Sequence, residues 1–328
     1  MSKKYDVVGI GHPCVDYSMQ VNALPRPDSG ARVLSATWQG GGVVPTGLVA
    51  AARQGLKCAM ICSAADDILG RFILHDFEYN GVDVSQIKIR EGAMSDMAVI
   101  LADEETHGRS IMYHSGNVEP LRREEVDLSI LLDTDYLYLS DAGEGSREAA
   151  RIVREAGGKV LVDAGIGSIR YYEPLLPYVN YFIGSAYLYR DSFSDENWET
   201  NLRAVQAMGP EVAACTFGSH GVRAVGPEEY VEVPAFHVDA VDTLGAGDVF
   251  HGAFFYGLTH DYSLTETIRY ASAVSAIKCT APGGRAGIPR PETVFRFLET
   301  GEIDRAEIDE RVERYAWGLD RFLREERR

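Results

Sequence analysis

From about Asp135 the chain alternates short apolar runs with segments of helical period: Tyr136 to Leu139, Ser146 to Ala156, Lys159 to Asp163, Tyr181 to Gly184, and Ala213 to Phe217. That rhythm is the signature of βα units around a parallel sheet. Residues 5 to 11, Tyr-Asp-Val-Val-Gly-Ile-Gly, read as a further buried strand closing on glycine. Gly9-Ile10-Gly11 lacks the third glycine of a dinucleotide fingerprint, because Cys14 stands in its place, and no Walker A pattern occurs in the chain. Open α/β sheets bind ligands beyond the carboxyl ends of their strands. Asp16, Asp163 and Thr216 each follow an apolar run and are placed to face such a cleft, although Asp is also common in turns.

Tyr17 to Val21, Arg32 to Trp38, Met97 to Leu101 and Ser110 to Tyr113 alternate in polarity and read as strands exposed on one face. Near the end, Ile308, Val312, Tyr315, Leu319, Phe322 and Leu323 recur at three- and four-residue spacing, which predicts an amphipathic helix packing on the domain. With 328 residues and 45% hydrophobic content the chain can bury a large core. We expect one domain over residues 1–300, its small β layer at about 12–38 and 95–118, and the C-terminal helix over 301–328.

The formal net charge of −17 disfavours nucleic acid and anionic membranes as partners, since both need a basic footprint. There is no apolar run of membrane-spanning length and no secretory leader pattern, so a cytoplasmic location is expected. The five cysteines are odd in number and lie in apolar surroundings, which predicts buried thiols rather than a disulfide framework.

The segment Val241-Asp242-Thr243-Leu244-Gly245-Ala246-Gly247-Asp248-Val249-Phe250-His251-Gly252-Ala253 carries the chemistry. Here a glycine turn runs into an apolar helix, and the amides of Gly245, Ala246 and Gly247 can approach an anion aided by the helix dipole. Asp248 then stands at the helix start, within reach of a substrate hydroxyl whose proton it can accept as the oxygen attacks a γ-phosphate. The bland reading is an N-cap by Asp after a glycine turn.

This stretch resembles the nucleotide-proximal motif of the PfkB, or ribokinase-like, carbohydrate kinases. Gly40-Gly41-Gly42 followed by the Ala-rich run to Gly55 is similar to the family's other motif, and the order and spacing of both fit. Asp66-Asp67-Ile68-Leu69-Gly70, Gly81-Val82-Asp83, Thr216 to Gly221 and Pro282 to Pro289 fall where the family has comparable segments, so the resemblance covers about residues 5–298. It implies a three-layer α/β/α sandwich with a mainly parallel sheet and a small β lid. It also implies an ATP-dependent sugar kinase with Mg²⁺, in which Asp248 is the base and Gly245, Ala246 and Gly247 form the anion hole.

For substrate the resemblance points to Asp16, Gly41, Gly42 and the residue at position 46, with Arg109 and Asn117 as lid candidates. For the nucleotide it points to Ser185, Thr216, Gly218, Gly221, Thr243 and Ala273. Backbone carbonyls of Asp242 and Leu244 resemble the monovalent cation site of many relatives, which makes K⁺ a candidate. Lid strands of this kind serve dimer contacts in relatives, so a homodimer is expected.

Two departures from the pattern matter. Thr46 stands where the family commonly has Asn, which removes one polar contact and can change the accepted sugar. Ser185 and Leu188 stand where many relatives carry Asn and Glu, so Mg²⁺ is expected to be held chiefly by ATP phosphates and water. The motifs look closest to the ketose and sulfofructose kinase branch. A sulfonate, however, wants Arg or Lys in its pocket. Position 31 is Ala and the loop Ser140 to Gly145 is acidic, which favours a neutral sugar or sugar acid. A nucleoside kinase and a sugar sensor that has lost chemistry are the competing readings, the former needing an aromatic platform from Tyr17, Met19 and Tyr113.

Overall fold

The computed structural model describes residues 3–105, 108–165, 167–194 and 197–326; positions 106 and 107 of the expected lid and the last two of the C-terminal segment fall outside these. The strands are β1 (Tyr5–Ile10), β2 (Cys14–Val21), β3 (Val33–Gly41), β4 (Cys58–Ala65), β5 (Val82–Arg90), β6 (Met97–Asp103), β7 (Arg109–His114), β8 (Thr134–Leu139), β9 (Lys159–Ala164), β10 (Tyr181–Ser185), β11 (Val212–Thr216), β12 (Val222–Val225) and β13 (Tyr230–Val233). The helices are α1 (Val43–Arg53), α2 (Ile68–Tyr79), α3 (Ser129–Leu132), α4 (Glu144–Glu155), α5 (Ile169–Tyr172), α6 (Ala186–Ser192), α7 (Trp198–Gln206), α8 (Ala246–Thr259), α9 (Leu264–Lys278), α10 (Pro291–Thr300), α11 (Ala306–Ala316) and α12 (Gly318–Glu325).

The larger sheet runs β13-β12-β11-β10-β9-β8-β1-β4-β5, parallel except for β12 and β13. Strand β4 is buried at every residue, as a central parallel strand covered on both faces must be. One face packs on α1, α2, α8 and α9 through a core that includes Leu48, Phe77, Phe254 and Ile277. The other packs on α4 and α7 through Val153, Phe182 and Leu202. Helix α4 shows how its pattern chooses a face: Ser146, Ala149, Ala150 and Val153 are its buried residues, spaced three and four apart.

The second sheet has the order β3-β2-β6-β7. This is the expected sandwich with a small lid. Alternation along β2 puts Asp16 and Ser18 on one face and Tyr17 and Met19 on the other, where Tyr17 stacks on Trp38 with ring centroids 4.2 Å apart.

The C-terminal segment departs from the single amphipathic helix expected, forming α11 and α12 with a break at Trp317. Trp317 leaves helical geometry at φ −113° and ψ 21°. Gly318 lies so close to the lid that a Cβ there would meet the Trp38 carbonyl oxygen at 2.5 Å. The chain turns so that both helices reach the domain: Tyr315 is buried, and Phe322 packs edge-on to Phe72 at 5.9 Å. Among the described residues no helix is long and apolar enough to cross a membrane.

Candidate active site

Helix α8 is brought to the cleft by close packing on α1. A Cβ on Gly252 would collide with the Gly47 carbonyl, so the glycine lets the two backbones touch and sets the N-termini of both helices side by side. Gly245 precedes α8 in the left-handed region at φ 69°, and no side chain caps the helix. The Ala246 amide donates to the Thr243 carbonyl at 3.2 Å, which corrects the expected three-amide anion hole. Within residues 242–248 the amides of Thr243, Gly245, Gly247 and Asp248 have no acceptor among the described residues.

Asp242 binds this turn together from within. Its carboxylate accepts from the Leu244 amide at 2.8 Å, the Gly283 amide at 2.8 Å and the lid hydroxyl of Ser18 at 3.4 Å. Leu244 inserts among Ala98 and Ile100 of β6, so the turn and the lid share a small apolar core. From β7, Arg109 donates to the Thr243 hydroxyl at 2.9 Å and adds a second tie.

Asp248 follows the turn, half-buried. Burial, then the negative charges of Asp163 and Asp16, hold its carboxyl well above the usual carboxylate range, which makes it a stronger proton acceptor once ionised. Asp163 ends β9 and is itself raised by burial, opposed by His251. His251, one turn along α8, faces Asp163 at 3.0 Å and the Gly247 carbonyl at 2.6 Å through Nδ1, and the Ile183 carbonyl at 3.3 Å through Nε2. The negative charges of Asp16 on β2 and Asp163 on β9 thus both act on Asp248 of α8.

On the substrate side, Asp16 lies against Gly41, where any Cβ would collide with its carboxylate. Gly42 precedes α1 at φ 95°, where a Cβ would collide with the His12 carbonyl oxygen. Thr46 does not reach the cleft as expected: it is only 2% exposed, and its hydroxyl accepts from Arg285 Nε at 3.3 Å. Arg285 is wholly buried, pairs with Asp76 at 2.5 Å and donates to the Gly41 carbonyl at 3.1 Å. The Tyr315 hydroxyl of α11 donates to Asp76 at 2.6 Å, so the C-terminal segment braces this wall. Sequence reading missed Arg285 as a scaffold, since nothing local marks it as buried. Asn117 serves its own loop by accepting from the Met94 amide at 2.6 Å.

On the nucleotide side, Ser185 caps α6 by accepting from Leu188 at 3.3 Å and donates to the Gly165 carbonyl at 2.6 Å. Thr216 donates to the Gly184 carbonyl at 3.4 Å, and Gly218 and Gly221 form the turn after β11, both at positive φ. Ala273 is fully buried in the core and cannot present a wall to adenine, whereas Ser275 and Ala276 nearby on α9 are partly exposed. The Ser275 hydroxyl donates to the Ala246 carbonyl at 2.7 Å. Leu188 is fully buried and Ser185 is engaged, so neither position offers a metal ligand.

The expected K⁺ site does not fit its occupant. The Asp242 and Leu244 carbonyls both accept from Nζ of Lys278, to Asp242 at 2.9 Å, and that ammonium fills the space between them. Its place in the helix offered a signal: Ala271, Val274 and Lys278 stand at core spacing, with a charge where an apolar residue belongs. A separate cavity of about 540 Å³ opens on the opposite face of β1 beside His12, Ser63 and Arg123, away from Asp248.

A carboxylate behind a glycine turn with free amides, in this three-layer fold, is an arrangement suited to a phosphotransferase with an alcohol acceptor. The chain belongs to the pfkB family carbohydrate kinases, whose model matches residues 4–291. It is 30% identical over 300 residues to an ATP-dependent ribose-1-phosphate kinase of Halopiger xanaduensis, covering 89% of this chain and 97% of that one. It is 28% identical over 283 residues to an aminoimidazole riboside kinase of Salmonella typhimurium, covering 79% and 87%. Among solved structures, a ribokinase from Thermotoga maritima superposes with a TM-score of 0.76 at 25% identity, covering 90% of this chain and all of that one.

Proposed function

We propose that the protein transfers the γ-phosphate of ATP to a hydroxyl of a small neutral sugar of ketose type. Asp248 accepts the hydroxyl proton as the new O–P bond forms and ADP departs. Asp16 takes hydroxyl hydrogen bonds from the sugar, and the free amides of the turn receive the transferring phosphoryl oxygens. Mg²⁺ would come with the nucleotide and neutralise phosphate charge.

The observation that carries the neutral-sugar reading is the state of the two buried cations beside the site. Arg285 is consumed by Asp76, Gly41 and Thr46, and Lys278 by the two turn carbonyls. Neither has been left to pair with a phosphate or sulfonate on the substrate, in contrast to what the ribose-1-phosphate kinase acts on. A nucleoside is disfavoured because Tyr17 and Met19 turn away from Asp16, leaving Tyr113 alone of the platform the sequence offered. We also infer a homodimer through the lid, on whose outer strands Val33, Leu34, Ile111, Met112 and Tyr113 are exposed; a monomer by light scattering would sink it.

The test is sugar-dependent ADP release with Mg²⁺ATP across ketohexoses, pentoses, sugar acids, a sulfosugar, ribose 1-phosphate and nucleosides. Turnover greatest with a neutral ketose supports the reading. Preference for ribose 1-phosphate or a nucleoside replaces it, and silence across the panel with ATP still bound shifts weight to a sensor.

A further inference from the structure

The structure assigns to Lys278 the work of a resident monovalent cation: its ammonium, bound between the carbonyls of Asp242 and Leu244, holds the phosphate turn in its anion-binding form. This rests on the kinase reading of the site and adds how that site is kept organised. Lys278 is the last residue of α9 and has no exposed surface. A buried ammonium must replace its lost hydration with acceptors, and burial drags its pKa down against the pull of Cys279, Asp242 and Asp248. The two carbonyls take two of its three N–H donors, converging on one nitrogen from residues two apart.

The consequence for the turn follows from peptide geometry. In a trans peptide the C=O and the following N–H point in opposite directions. A Leu244 carbonyl drawn toward Lys278 therefore turns the Gly245 N–H away from it, and that amide is one of those with no acceptor among the described residues. The same peptide logic applies to Asp242 and Thr243. The next residue reinforces the grip, as the Cys279 carbonyl accepts from the Val241 amide at 2.8 Å and the Asp242 amide at 3.1 Å. A tethered ammonium and a free K⁺ cannot occupy one space, so the chain has no need of the latter.

The test compares KCl with choline chloride at equal ionic strength, reading the melting temperature of the free protein and its affinity for ATP. The wild type is expected to melt alike in both salts and to bind ATP with affinities within about twofold. A K⁺-specific rise in melting temperature, or ATP binding about tenfold tighter in KCl, overturns the assignment. Lys278→Ala removes the ammonium and leaves two carbonyls facing a small cavity. ATP affinity should drop about tenfold or more in choline and recover in part with K⁺. If that variant does not fold, the wild-type comparison still decides. Equal melting in both salts with no turnover on any sugar defeats the substrate reading and leaves this one standing.

Discussion

The turn proposed to receive phosphate and the wall proposed to face the sugar meet where a Cβ on Gly245 would lie 3.2 Å from the Gly284 α-carbon and 3.5 Å from Thr46 Cγ2, yet they are held in different ways. Residues 242–248 are contiguous, and their shape comes from main-chain bonds, the Asp242 carboxylate and the Lys278 ammonium. The wall gathers Asp16, Gly41, Asp76, Arg285 and Tyr315 from segments spread over most of the chain, fastened by a buried ion pair. Chemistry at the turn can thus be removed without touching the fold, whereas one side chain lost from the wall leaves a charge stranded in the core.

That contrast can be broken most forcefully at Asp248. Asp248→Asn should lower kcat by about 10²- to 10⁴-fold, leaving ATP affinity and melting temperature near the wild type, because only the proton acceptor is lost. Retained turnover would remove Asp248 from the role proposed for it.

At the wall the order of effects reverses. Asp76→Ala leaves Arg285 buried and unpaired and should cost about 3–5 kcal/mol of stability, seen as a lower urea midpoint. Asp76→Ala with Arg285→Met should recover part of that loss, since the stranded charge is gone. A single variant as stable as the wild type would show that the pair does not bear the wall.

The smallest effect sharpens the electrostatics of the turn. Asp248 must be ionised to accept a proton, so kcat/KM should rise with pH through its raised pKa and level off above it. Asp163→Asn removes the carboxylate whose charge opposes this ionisation more strongly than that of Asp16, so the acid limb should move to lower pH. A limb that stays put or moves up would mean that Asp163 does not act on Asp248 through its charge.

Much of this was legible in the chain. The βα rhythm gave β8, β9, β10 and β11 and the helix between the first two, and alternating polarity gave β2, β3, β6 and β7, since both periods are local. Gly245 and Asp248 were likewise visible, because a turn needing positive φ before an uncapped helix leaves its mark within a few residues. Strands β4 and β5 and the antiparallel pair β12 and β13 carried weaker marks, and the break at Trp317 left none, since the contact of Gly318 with Trp38 is made across the fold. Thr46 and Ala273 were expected to face ligands and are buried, because the side a helix presents depends on what packs against it.

The sequence by itself determined the layered α/β architecture, which follows from short-range periodicity, and it carried the family through the resemblance of its two glycine motifs, the second of which offers a carboxylate behind a glycine turn. The tertiary structure alone decided that Lys278 fills the expected cation site, that Arg285 underlies the wall beside Gly41, and that the charges of Asp16 and Asp163 act on Asp248. These depend on burial and on contacts between residues far apart in the chain, where the energy of a charge is set by what surrounds it rather than by what precedes it.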